Sequence, residues 1–269
     1  MTPAFSENKK SATGTMAIMN PIKTVTGSLV LALSITGAAM AGDLSGPAGF
    51  VDLHYYKYTE PGTMNEKSRA PGFTVGWRDE SAIRTEAGFG AISGNLELAL
   101  GLTKYDGSGT RDTSYYKILG EIYTPLYKSV YAGLGYRRLF DNLGPGNTST
   151  GAGGYDRLSQ YFYVPVGVIT KFSTGDSFKT QYNWFLRGKQ ISYLTQVSGY
   201  GNDPENTQKS GYGLDFAYTP AKGGWELYFR YWRIKDSDSV NIYLTNGTLY
   251  GTGTEPLNNT KELGVRFAF

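Results

Sequence analysis

The residues with the clearest potential for chemistry are His54 and Asp52, which lie two positions apart. His54 is the only histidine of the 269-residue sequence, and an imidazole beside a carboxylate can act as a general base. Nucleophilic catalysis also needs an activated hydroxyl or thiol, but the sequence has no Cys and no G-x-S-x-G motif. We therefore expect no enzyme, no metal site and no cofactor, and we expect His54 to take part in a hydrogen-bond network.

A larger set of candidate residues consists of charged side chains that alternate with apolar ones. Both signs occur in this set, and charges removed from water must be paired or hydrated. The set comprises Asp52, His54, Glu97, Glu121, Arg137, Arg157, Lys179, Arg187, Lys189, Asp215, Glu226, Arg230, Glu262 and Arg266. Because they fall on the polar face of each segment, we expect them to line one common interior.

The elements that carry these residues are predicted to be strands. From Gly49 onward, apolar and polar residues alternate with period two, over stretches long enough for a tilted strand to cross a bilayer. The segment Asn95–Tyr105 is the clearest, with leucines on one face. The predicted strands are Gly49–Thr59, one long strand within Gly72–Ala91, Asn95–Tyr105, Ser114–Thr124, Ser129–Phe140, Asp156–Lys171, Ser177–Leu194, Ser210–Thr219, Gly224–Asp236 and Thr260–Phe269.

The connections between these segments alternate between short and long, and most of the long ones are rich in Gly, Asn, Ser and Thr. Short turns on one side and long loops on the other are typical of transmembrane barrels. The sequence therefore predicts an all-β fold, a transmembrane antiparallel up-and-down β-barrel of about ten strands. Twelve strands is the alternative, if residues 72–91 form two strands and a loop contains another. The longest loop, Ser237–Asn259, is a candidate hairpin beyond the membrane.

The first 41 residues carry an export pattern. Lys23 precedes the short apolar stretch Val25–Ile35, and Ala39-Met40-Ala41 fits a signal-peptidase site, so cleavage is expected between Ala41 and Gly42. Residues 1–15 have no place in such a signal, and we expect translation to begin later, at Met16 or Met19. The prediction is a helical signal peptide at 1–41 and a barrel domain at 42–269. A formal net charge of +3 gives no reason to expect nucleic-acid binding.

The chain end, Lys261–Phe269, resembles the C-terminal signature of outer-membrane β-barrels. Further segments are similar to those of small porin-like barrels of proteobacteria: Tyr58–Met64, Tyr131–Asn142, Arg187–Leu194 and Arg230–Ser237. The resemblance implies a Gram-negative outer-membrane location after Sec-type export. It also implies that Phe269 is read as an assembly signal by the barrel-assembly machinery, and that lipid and lipopolysaccharide surround the protein. It brings no catalytic residue, and a monomer is the favoured oligomeric state.

Three functions remain open at this point. The interior charges can form a network that fills the barrel and makes it a structural protein. Alternatively, acidic strands facing basic ones can line a narrow channel or a passive porin for small polar or anionic solutes. The third possibility is an adhesin or receptor that binds through its surface loops. An outer-membrane hydrolase is not expected.

Overall fold

The computed structural model describes Leu44 and residues 46–269. The predicted signal peptide, with its cleavage site at Ala41 and Gly42, lies outside these residues. Within the described part of the chain, no helix has the length and apolar character needed to span a membrane.

The described residues form sixteen strands and two short helical segments. The helical segments are α1, Ser81–Arg84, and a 3₁₀ turn at Leu194–Gln196. The strands are β1 Ala48–Glu60, β2 Met64–Ser68, β3 Gly72–Asp79, β4 Ser93–Gly107, β5 Gly109–Tyr127, β6 Val130–Asn142, β7 Gly146–Asn147, β8 Gly153–Gly154, β9 Arg157–Lys171, β10 Ser177–Ser192, β11 Glu205–Gln208, β12 Gly211–Thr219, β13 Trp225–Ile234, β14 Ser239–Tyr243, β15 Leu249–Thr254 and β16 Asn258–Ala268.

Ten of these strands close into an antiparallel barrel, which confirms the predicted fold class. Each pairs with the next in the order β1, β3, β4, β5, β6, β9, β10, β12, β13, β16, and β16 pairs with β1. Two short strands extend the wall beyond these ten. Like β3, β2 pairs with both β1 and β4, but nearer the loop end, and β11 pairs with the end of β10. In a closed barrel no strand edge is left unpaired.

The barrel has two different ends. The turn end carries the β5–β6, β9–β10 and β12–β13 connections and the chain end at Phe269, whose backbone N–H donates to the carbonyl of Gly49. The loop end carries the long β6–β9, β10–β12 and β13–β16 connections and the tight β4–β5 turn at Ser108. The predicted hairpin is present there, since β14 and β15 pair with each other. The two ends therefore offer different surfaces to whatever surrounds them.

Two sequence-based boundaries were wrong. Residues 72–91 do not form one long strand: β3 ends at Asp79, and the chain then turns into α1. Here Glu80 and Arg84, spaced four apart, form an ion pair that suits a helical turn. The predicted loop at 106–113 is also wrong, because β4 and β5 extend until only Ser108 separates them.

The outer wall is apolar, while the interior is polar. Leu96, Leu98, Leu100 and Leu102 of β4 are exposed outward, and Glu97 between them is buried. The interior also holds aromatic clusters, such as Tyr161, Tyr163 and Phe185 with Trp232. A soluble β-sandwich shows the reverse, with polar residues outward, so the pattern is that of a transmembrane barrel.

Candidate functional site

The middle of the barrel interior is cross-linked by arginine–carboxylate pairs. The guanidinium of Arg230 on β13 donates two hydrogen bonds to Glu97 on β4, at 3.0 and 3.1 Å. Arg78 on β3 donates two to Glu226 on β13, both at 3.0 Å. Arg266 on β16 joins the two pairs, since it donates to Glu97 and Glu226 at 2.9 Å each. Two-pronged pairs of this kind fix both position and orientation, so they tie opposite walls together.

A second group of pairs surrounds Glu262 on β16. Lys117 on β5 donates to this carboxylate, and Arg137 and Arg230 lie at 3.9 and 3.6 Å from it. Among the described residues the guanidinium of Arg137 has no hydrogen-bond partner, but it lies over the rings of Tyr161 and Trp232. Aromatic faces stabilise a cation without accepting conventional hydrogen bonds. These contacts extend the network to the opposite wall.

Glu121 and Asp215 organise polar groups on the remaining side. Glu121 accepts hydrogen bonds from Tyr163 and Gln181, each at 2.9 Å. Asp215 accepts from Gln181 and also pairs with Arg230 at 3.3 Å. The two carboxylates therefore connect β5, β9, β10 and β12 to the central network.

The turn end of the interior is closed by α1. Glu80, at the start of this helix, is fully buried and pairs with Arg84 at 2.7 Å and with Lys179 of β10 at 3.0 Å. Arg84 also donates to the hydroxyl of Ser177. The helix thus places a buried carboxylate beneath the lumen.

The side chains of His54 and Asp52 contact each other in the barrel interior. The Nδ1 atom of His54 lies 2.8 Å from Asp52 Oδ1, and its Nε2 contacts the hydroxyl of Tyr115. The side chains of both His54 and Asp52 are fully buried. The predicted hydrogen-bond role of His54 is therefore what the geometry provides, with Tyr115 as a partner that the sequence did not indicate.

Two residues of the expected interior set lie on the wrong face. The pairing of β9 with β10 shifts register between Phe185 and Arg187, so one extra residue reverses the alternation beyond this bulge. Arg187 is consequently exposed on the outer face. Lys189 is also outside, where it pairs with Glu205 of β11. The prediction that these two residues line the lumen was wrong, and Phe185, Gly188 and Gln190 face inward instead.

Little space remains inside the barrel. A cavity bounded by Arg78, Glu121, Asp215 and Arg230 has a volume of about 20 Å³. A cavity needs about 10 to 15 Å³ of space accessible to the centre of a water molecule in order to hold one water. The middle of the interior is thus filled by side chains, as expected for the structural alternative rather than for an open porin.

A larger pocket, of about 250 Å³, lies at the loop end, and we call it the mouth pocket. Its wall comes from several loops, including the β10–β11 connection and the β14–β15 hairpin; its charged residues are Glu60, Arg157 and Glu255. Arg157 pairs with Glu60 at 2.6 Å and with Asp141 at 2.5 Å. The guanidinium is therefore already neutralised by two carboxylates.

Glu255 is the unusual member of the mouth pocket. It is 7 % exposed, and its carboxylate accepts a long hydrogen bond from the Tyr58 hydroxyl at 3.4 Å. Burial and the nearby carboxylate of Glu60 raise the pKa of Glu255 to about 8, since both disfavour the charged form. Glu255 was not predicted from the sequence because it lies in a loop without periodicity.

No family model matches the chain, and no curated protein matches it. Solved structures that it resembles include the outer membrane protease OmpT from Escherichia coli, with 12% identity, a TM-score of 0.45 and coverage of 83% of this chain and 96% of that one. The β domain of the Bordetella autotransporter BrkA shows 13% identity, a TM-score of 0.40 and coverage of 84% and 100%. The translocator domain of NalP from Neisseria meningitidis shows 12% identity, a TM-score of 0.38 and coverage of 88% of this chain and 94% of that one.

These likenesses concern the fold, and they correct one expectation. The sequence led us to expect that the chain is not an enzyme, and this exclusion was wrong, because a protease is among the barrels of similar fold. Autotransporter domains are also among the structures that the chain resembles. Function must therefore be argued from the site and not from the barrel.

Proposed function

We propose that this chain is an integral outer-membrane β-barrel that does not conduct solutes and that binds ligands at its loop end. The outward apolar wall supports the membrane location, because leucines such as Leu98 and Leu100 are half exposed there. Such a face is unfavourable in water but suits hydrocarbon. The predicted export signal and the terminal Phe269 agree with assembly from the periplasmic side, with the loop end facing outward.

The observation that carries the proposal is the filled interior. Arg78, Arg230 and Arg266 each bind carboxylates on other strands, and the central cavity holds about 20 Å³. A conducting pore needs a continuous water-filled path, and charged side chains that are paired across the lumen block such a path. This argues against the passive-porin alternative.

The binding role rests on the mouth pocket. With about 250 Å³ it is more than ten times larger than the interior cavity, and its wall combines charged residues with Leu194, Pro204 and Ile242. Ligand pockets are typically apolar clefts with a few polar groups that orient the ligand. Surface loops on a rigid barrel are also a common location for binding residues.

Conductance in planar lipid bilayers tests the proposal. The purified, folded barrel is expected to insert without producing current steps, while a water-filled porin in the same bilayer gives them. Insertion is verified separately by protease protection of the barrel in vesicles of the same lipid. Regular current steps from the inserted protein would overturn the non-conducting assignment and restore the channel alternative.

A further inference from the structure

Four lysines form a continuous row across the outer wall near the loop end. Lys57 of β1 is directly opposite Lys261 of β16 on one side and Lys67 of β2 on the other. Lys67 in turn is opposite Lys104 of β4. All four side chains are exposed, and directly opposed residues have Cβ atoms about 5 Å apart. We call these residues the lysine row.

The lysine row is not neutralised within the described residues. Its members take part in no ion pair there, in contrast to Lys117, Lys179 and Lys189. The row ends at Tyr231 on one side and at Asp112 on the other, and Asp112 is already paired with Arg69. Like charges placed directly opposite each other on a sheet are destabilising. An anion bound from outside would therefore stabilise the row.

A groove in the apolar wall lies directly below the row. It has a volume of about 410 Å³ and is lined mainly by Leu53, Tyr55, Ala70, Leu227, Leu263 and Val265. The groove forms because β2 ends at Ser68 and β3 begins at Gly72. The chain leaves the sheet between them, and the backbone N–H of Tyr56 binds the Ser68 hydroxyl instead of a strand partner.

The row and the groove belong to one surface. Tyr55 and Lys57 are two residues apart on the same face of β1, as are Leu263 and Lys261 on β16. Two residues span about 7 Å along a strand, so the ammonium groups border the upper rim of the groove. An apolar slot beneath a row of cations matches an amphiphile with an anionic head group.

We propose that this surface binds a phosphorylated lipid of the leaflet at the loop end, with its phosphate on the lysine row and an acyl chain in the groove. The proposal rests on the membrane location proposed above. Ammonium groups bind phosphate oxygens through charge-assisted hydrogen bonds, and basic residues at a membrane surface attract anionic lipids. Bound phosphate also removes the repulsion within the row.

Lipid retention in detergent tests the proposal. The folded barrel in dodecyl maltoside micelles is titrated with phosphatidic acid or with phosphatidylcholine, and bound lipid is counted by native mass spectrometry. The wild type is expected to retain phosphatidic acid, and the variant Lys57→Gln/Lys67→Gln to bind it at least about tenfold more weakly. Lys128→Gln/Lys222→Gln, which removes two exposed lysines at the turn end, is the matched control. Equal retention of both lipids by the wild type, or an equal loss in the control, would overturn the proposal.

A second arm separates lipid from free phosphate. Ala70→Phe narrows the groove without changing charge, and it is expected to weaken phosphatidic acid binding while inorganic phosphate competes poorly at millimolar concentration. If Ala70→Phe has no effect and inorganic phosphate displaces the lipid, the site recognises phosphate alone and the lipid assignment fails. Neither outcome depends on conductance, so a failure here is distinguishable from a failure of the non-conducting assignment.

A stability measurement shows whether the lysine variant still folds. In lipid-free micelles at low salt, Lys57→Gln/Lys67→Gln is expected to unfold at a higher urea concentration than the wild type, because it removes repulsion. Added salt should narrow this difference through screening. A variant that is less stable than the wild type under these conditions would show that the row is not strained and would remove the reason for an anion.

Discussion

Arg230 and Glu97 form a two-pronged ion pair across the barrel, although 133 residues separate them in the chain. The guanidinium is also shared with Asp215 and Glu262, and Glu97 with Arg266. All of these charges except the partly exposed Asp215 are buried, so they depend on one another for their solvation. The pair is therefore the natural place to test what holds the interior closed.

Removal of one partner of this pair should destabilise the barrel strongly. Glu97→Leu leaves Arg230 and Arg266 without a shared carboxylate, and the expected loss is about 3 to 5 kcal/mol in the free energy of unfolding. Urea unfolding in lipid vesicles, followed by tryptophan fluorescence, measures it. The double variant Glu97→Leu/Arg230→Met should lose clearly less than the sum of the two single variants. Simple additivity would show that the pair contributes no coupling.

Two glycines of the wall should respond oppositely to alanine. A Cβ at Gly133 would lie 1.9 Å from the carbonyl oxygen of Ile122, which belongs to the backbone and cannot turn away. Gly133→Ala is therefore expected to lower the free energy of unfolding by about 1 to 3 kcal/mol. At Gly120 the nearest atom would be 3.9 Å away, so Gly120→Ala should be neutral or stabilising by about 0.5 to 1 kcal/mol. The same urea experiment compares them, and equal effects would contradict the close approach at Gly133.

The register shift in β10 predicts which neighbouring positions react with a thiol reagent. Because the chain has no Cys, each single substitution carries one unambiguous label site. Lys189→Cys should react quickly with a water-soluble maleimide in the folded state, since Lys189 is 39% exposed. Gln190→Cys should react only after unfolding, since Gln190 is 1% exposed. The reverse order of rates would mean that the alternation continues unbroken through Arg187.

The mouth pocket should loosen as the pH rises. Folding raises the pKa of Glu255 from its ordinary value of 4.5 to about 8, so the folded state binds the extra proton between these values. The free energy that holds the loop in place therefore falls as pH increases from about 4.5 to 8. The charged and titratable groups around it are Glu60, Arg157, Tyr58 and Tyr155.

Limited proteolysis of the loop end measures this effect. Cleavage within residues 237–257 should accelerate between pH 5 and 8 relative to a protease control on an unfolded substrate. Glu255→Gln stays uncharged at both values, so its cleavage should change little over the range. Glu205→Gln, which neutralises an exposed carboxylate on β11, should behave like the wild type. Equal acceleration in Glu255→Gln would assign the pH dependence to another group.

Much of the fold was readable from the sequence because alternation is a local property. Leucines at every second position of Asn95–Tyr105 already define the outward face of β4, and residues such as Asp52, Glu226 and Arg266 were correctly expected to alternate with apolar ones. The bulge between Phe185 and Arg187 could not be predicted, because no residue type in β10 marks the position at which the strand carries one extra residue. The helix at Ser81–Arg84 was misread because Ile83 and Arg84 keep the apolar–charged alternation of the strand before them.

The sequence by itself indicated about ten barrel strands and placed most of the charged residues on their inner faces. Tertiary structure alone decided which charges meet, because partners such as Arg78 and Glu226 are set by the order and stagger of strands around the barrel. The same is true of the lysine row: Lys57, Lys67, Lys104 and Lys261 come from four separate strands, and only the register of the closed sheet aligns them. Register depends on contacts between distant segments, and no local pattern records it.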